Sequence, residues 1–320
     1  MQVFQENTAR DLKRILFLFA IVSMFFLLMV KLNYRPDLTQ YVGDYGNHYR
    51  NTMHLPSLDA SSMGEYAPAF SFFARFFTYS QQSFFFAVLI LLALITPLLL
   101  YLIQRKFSVV WMYFASISYF WLLSSSGFLA QAVLGIWALL YLLCRKHWFL
   151  KVALVLSSVF VHGYGIFLML LIFAVDLAFS SKLLGKFAPA CSAFLPDGLK
   201  TKISVRVVES TGDAMFYSDL LNFAAKGFFL PFLILSIIQL WKENKPVLVM
   251  GVLSIASAFF INMGYRILAF SELFFLLGLS SYYESASKPV KALIVLLSIG
   301  ILALNLWSWH IAFLNLSGGC

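Results

Sequence analysis

Residues 128–161 read FLAQAVLGIWALLYLLCRKHWFLKVALVLSSVFV, two apolar runs (128–144 and 148–161) parted by Arg145, Lys146 and His147. Runs of 14 to 20 apolar residues recur along the whole chain, so lipid contact is not confined to one anchor, and the break between these two is basic. The same pattern recurs on both sides. Further apolar runs lie at about 15–30, 84–103, 107–123, 164–179, 227–241, 246–261, 267–283 and 292–309. Ten such runs in one chain are too many for a single anchor. They predict an all-α, polytopic membrane protein of about 10–11 transmembrane helices.

Composition points the same way. The 320 residues are 61% hydrophobic and 12% charged, with 35 Phe. A water-soluble domain carries about 25% charge, and its surface must be wetted however large its core. The net charge of +9 comes from Lys and Arg in short clusters between apolar runs, as topology control requires. No nucleic-acid partner is expected. Cys144, Cys191 and Cys320 are scattered without CxxC or metal-ligand spacing, so neither a disulfide framework nor a metal site is expected, and no cofactor either. The first apolar run follows Arg10, Lys13 and Arg14 and meets Lys31, so it reads as a signal anchor. No repeat or linker divides the chain, which reads as one transmembrane domain over 1–320.

Charge also orients the spans. With the N-terminus cytoplasmic, Arg105-Lys106 and Arg145-Lys146 fall inside, while 124–127 and 162–163 fall outside without Lys or Arg. The alternation then places Lys242, Lys245, Lys288 and Lys291 outside, against the positive-inside bias, unless 183–196 (LLGKFAPACSAFLP) crosses as a short or broken segment. With that eleventh crossing most basic residues return to the inside. Arg266 is then the only one in a short external loop.

Two external segments are long, about 32–83 and 197–226. The first holds Asp44, Tyr45, His48, Tyr49 and Arg50, and later Glu65 and Arg75. At helical spacing Asp44 and His48 share a face, as do Tyr45 and Tyr49. Aromatic faces beside a carboxylate suit a sugar-binding cleft, and equally an aromatic belt at headgroup depth. Residues 66–79 (YAPAFSFFARFFTY) read as interfacial. The second segment holds Arg206 and Tyr217. His162 ends a span at the outer boundary, as a functional group or a cap. Tyr265-Arg266 begins a span. The guanidinium there offers a fixed five-donor fork suited to phosphate, or a snorkelling cation. Gln131 and Ser124–Gly127 could donate into a cleft. Asp176 and Glu272 lie within spans: Asp176 is placed to snorkel towards Lys182, and Glu272 to pair inside the bundle. Thr96-Pro97 and Pro231 read as mid-span prolines. No Walker A, Gly-rich dinucleotide loop or GxSxG is present, so ATP-driven transport and serine hydrolysis have no support.

The order of these features resembles the EpsG/Wzy-type exopolysaccharide and O-antigen polymerases. The resemblance is carried by Gly43-Asp44-Tyr45…Tyr49, Glu65-Tyr-Ala-Pro-Ala-Phe70, the Gln131-Ala span, Arg145-Lys146, the span ending in His162, Tyr217, and Tyr265-Arg266. It implies a GT-C-like, metal-independent glycosyltransferase of the bacterial inner membrane. The donor would be an undecaprenyl-pyrophosphate-linked oligosaccharide, the acceptor a second such molecule, and a chain-length regulator a further partner. Asp44, His162 and Arg266 would be catalytic. Tyr45, His48, Tyr49, Arg50, Glu65, Arg75, Gln131, Arg206, Tyr217 and Tyr265 would bind substrate. Where the family pattern carries Arg before Gln-Ala, this chain has Ala130, so Arg50, Arg75 or Arg206 would supply that charge. The competing readings are a transporter or flippase, and a polysaccharide ligase or acyltransferase.

Overall fold

The computed structural model describes residues 2–33, 90–115, 129–144, 147–161, 165–180, 230–258 and 265–317. Among them the secondary structure is helical, with no strand. We number the helices α1 (Gln2–Asn33), α2 (Thr96–Gln104, continuing a π-helical segment Ile90–Ile95), α3 (Ser108–Ala115), α4 (Leu129–Leu143) and α5 (Trp148–Val161). They are followed by α6 (Gly165–Ser180), α7 (Leu230–Glu243), α8 (Lys245–Ala258), α9 (Tyr265–Ser285) and α10 (Lys288–Ser317). In its described part, each of the ten apolar runs falls on one of these helices. The expected short crossing at 183–196 and the external segments from 34 onward and at 197–226 lie outside the described residues.

The prolines explain several boundaries. Pro246 and Pro289 are the second residues of α8 and α10, where a missing N–H costs nothing because the first helical donors have no intrahelical partner. Pro231 takes the same place in α7, so the expectation of a mid-span proline there is corrected. Pro97 differs. It follows directly on the π-helical segment, whose wider turn accommodates a ring that cannot donate to the ladder. The Thr96 hydroxyl donates to the Leu91 carbonyl at 2.9 Å, supplying a donor to that interrupted stretch.

Helix α9 is the centre of the bundle. It packs against α2, α3, α4, α7, α8 and α10, and every residue from Phe270 to Ser281 is buried. Apolar residues occupy all its faces over this stretch, as suits a helix surrounded by others, with Ser271, Glu272, Ser280 and Ser281 as its buried polar groups. Small residues let it approach its neighbours. A Cβ added at Gly278 would stand 2.6 Å from Leu240 Cγ and 2.7 Å from the Ser236 carbonyl oxygen of α7. Ser236, Ser254, Ser280 and Ser298 satisfy their buried hydroxyls on backbone carbonyls of their own helices.

The outer faces are apolar too. Leu16, Phe17 and Met24 on α1, Ile234, Ile238 and Trp241 on α7, and Leu293, Leu296 and Ile299 on α10 are exposed at helical spacing. Trp148 and Phe149 at the start of α5 are 72% and 71% exposed. Contiguous apolar stripes of this kind mark surfaces that meet something other than water. Among the described residues no helix is long and apolar enough to cross a membrane.

Candidate functional site

One end of the bundle is defined by polar contacts between distant segments. Lys106 Nζ donates to Ser281 Oγ at 3.1 Å, and Gln104 Nε2 donates to the Leu277 carbonyl at 3.2 Å. The Ser281 hydroxyl donates to Glu243 Oε2, and Gln239 donates to the other oxygen of that carboxylate at 2.5 Å. Tyr101 reaches Asp11 at 3.4 Å, and Arg14 lies 5.5 Å over the Phe107 ring. Lys291 lies 5.4 Å over Tyr283, whose ring meets Trp111 edge-on. The starts of α3, α8 and α10 and the ends of α2, α7 and α9 therefore share this end. Arg105-Lys106, Lys242, Lys245, Lys288 and Lys291 share it with them. The backbone of Arg105 takes the left-handed conformation (φ 57°), and its N–H closes α2 on the Tyr101 carbonyl.

Tyr265 and Arg266 open α9 at its other end. At 1.5 Å per residue, Arg266 lies about 22 Å along the helix from Ser281. A cation at a helix N-terminus opposes the macrodipole, so helix stability does not account for an arginine there. Gln131 is the third residue of α4. Asp44, Tyr45, His48, Tyr49, Arg50, Glu65, Arg75, His162, Arg206 and Tyr217 lie outside the described residues. Of the sequence candidates, the structure thus positions the backbones of Gln131, Tyr265 and Arg266.

Between the two ends lies a buried polar group. Glu272 is 1% exposed on α9, about 9 Å along the helix from Arg266 and about 14 Å from Ser281. Tyr113 of α3, fully buried, hydrogen-bonds Thr96 and stands within electrostatic reach of Glu272. Thr96 is the residue at which the π segment becomes α-helix. Three helices thus contribute to one mid-bundle constellation of hydroxyls and a carboxylate. The sequence placed Glu272 inside the bundle. It did not reveal the partners, because nothing in the spacing of Thr96, Tyr113 and Glu272 brings them together before the helices pack.

A second polar knot joins α4, α5 and α6. Asp176 Oδ2 accepts from Tyr141 at 2.8 Å and from Lys151 at 2.5 Å, and the ammonium lies 5.0 Å over the Tyr141 ring. Lys182, the partner expected for Asp176, lies outside the described residues. Among the described ones the Asp176 carboxylate meets Lys151 of α5, whose side chain is 13% exposed and gains a carboxylate and a ring face together. Trp137 Nε1 donates to Ser157 Oγ at 3.0 Å and fixes α4 on α5. This knot holds helices in register and leaves its charges engaged.

Chemically, then, the chain offers a cationic end, an arginine opening the central helix at the opposite end, and a buried carboxylate between. Comparison with protein-family models, curated proteins and solved structures finds no match for this chain.

Proposed function

We propose that the chain is a multi-span membrane glycosyltransferase, GT-C-like in arrangement, that joins lipid-diphosphate-linked oligosaccharide repeats at the non-cytoplasmic face. The observation that carries this reading is the placement of Tyr265-Arg266 at the start of the central helix, whose residues 270–281 are all buried, at the end opposite the Lys- and Arg-rich one. A basic end on the cytoplasmic side follows the positive-inside bias. It leaves Arg266 as a cation on the far side, where a lipid-linked diphosphate would lie. The apolar stripes on α1, α7 and α10 support lipid as the surrounding medium.

In this reading the acceptor hydroxyl gives its proton to Asp44 or His162, and its oxygen bonds to the anomeric carbon of the donor. The bond from that carbon to the diphosphate oxygen breaks, and the electron pair leaves with the diphosphate. Arg266 stabilises the charge that develops there through charge-assisted hydrogen bonds that need no reorganisation at the moment of reaction. Tyr45, Tyr49, Tyr217 and Tyr265 would stack on sugar faces. His48, Glu65 and Gln131 would hold hydroxyls. Arg50, Arg75 and Arg206 would hold the second diphosphate.

One observation favours transport of a solute or lipid instead. Transporters place ionisable groups at mid-depth beside interrupted helices, and Glu272 lies beside the π-to-α junction at Thr96. The size distribution of surface polysaccharide separates the two. In a strain lacking this chain the polymerase reading expects a ladder collapsed to a single repeat, restored on complementation. An unchanged ladder retires polymerisation and leaves the transport reading standing.

A further inference from the structure

At the basic end two of the carboxylates are engaged by neighbouring side chains, and most of the cations are exposed. Glu243 is held by Gln239 and Ser281, and Asp11 by Arg14 and Tyr101. Arg10, Lys13, Arg14, Arg105, Lys242, Lys245 and Lys288 are exposed. These seven come from the N-terminal helix, the α2–α3 turn, the α7–α8 turn and the start of α10, yet the fold gathers them at one level. Helix stability does not explain them all. Lys245 and Lys288 each open a helix, where the macrodipole disfavours a cation.

The α7–α8 turn adds a second kind of group. Trp241 is 61% exposed, and the Lys245 ammonium lies 5.1 Å over its ring. An indole is at home at headgroup depth, with its body among acyl chains and its N–H towards water. Glu243 in the same turn is exposed as well, but its two oxygens are taken by Gln239 and Ser281, and among the described residues it forms no ion pair with Lys242 or Lys245.

We infer that this end docks on anionic phospholipid headgroups, with Trp241, Lys242 and Lys245 at the centre of the contact. The inference rests on the membrane reading above and adds a lipid preference to it. Two ammonium groups complement the phosphates, and the indole fixes their depth. A juxtamembrane Lys or Arg strengthens attachment to an anionic surface by about fivefold.

The test uses the full chain in nanodiscs of phosphatidylcholine with a minor fraction of phosphatidylglycerol, and counts the phospholipids retained after extraction. Wild-type protein is expected to retain phosphatidylglycerol in excess of its share, and Lys242→Gln/Lys245→Gln to bind it about 25-fold more weakly. Lys242→Arg/Lys245→Arg keeps the preference, which separates charge from folding. Retention of both lipids in proportion to supply, in a protein that inserts normally, overturns the lipid inference and leaves the membrane reading intact. Failure to enter bilayers at all, in a protein monodisperse in plain buffer, overturns the membrane reading itself. Displacement of the retained lipid by millimolar inorganic phosphate also overturns the inference, since it marks a free-phosphate site.

Discussion

Arg266→Ala is expected to lower polymer formation by about 10²–10³-fold while leaving the amount of membrane-associated protein unchanged, as loss of one preorganised donor does at other anionic transition states. Its position is the reason. Arg266 stands in the first turn of α9, at the end of the helix away from Ser281 and Glu243. Arg266→Lys tests the fork as distinct from the charge. A lysine keeps the cation as a point charge but loses bidentate contact with a diphosphate, so it is expected to recover part of the activity only. Size analysis of the glycan and an immunoblot of the membrane fraction read both quantities. Normal polymer from Arg266→Ala removes this residue from the mechanism.

Gly278→Leu is expected to produce the largest loss of stability. The added Cβ meets Leu240 and the Ser236 carbonyl below any sustainable distance, and the carbonyl is backbone that cannot turn aside. Helix α9 must draw away from α7, which also parts Ser281 from Glu243 one turn further on. Overpacking of a tight contact costs about 1–3 kcal/mol or more, a fall of about 2–5 °C in melting temperature for a chain of this length. Gly300 on α10 serves as the control, because a Cβ there meets nothing within 4 Å. Gly300→Leu is expected to leave the melting temperature unchanged. Equal losses from both substitutions contradict the close α7–α9 approach.

The helices were legible in the sequence because their signal is local. Runs such as 148–161 and 128–144 carry their length, their apolarity and their basic punctuation within themselves, and α5 and α4 begin and end within a residue of those bounds. The grouping of Lys242–Lys245 with Arg105-Lys106 was legible as well, through charge. Pairings between helices were not. Asp176 meets Lys151 and Tyr141 from two other helices, and only the packing of α4, α5 and α6 brings those partners to it. Pro231 misled for a related reason. The apolar run continues on both sides of it, so hydropathy cannot locate a helix start that the ring's missing donor permits. Glu272 was visible as an acid in an apolar run, but its neighbours Thr96 and Tyr113 arrive from two other helices.

The most direct test of the central claim is polymerisation by the purified chain itself. The protein, reconstituted in bilayers, is supplied with an undecaprenyl-diphosphate-linked repeat unit from the strain that makes it, and the glycan is sized over time. The account predicts a ladder of lengthening oligosaccharide with release of undecaprenyl diphosphate in step with each bond formed, and no ladder from Arg266→Ala. Repeats that stay single in the presence of folded, bilayer-inserted protein would contradict it.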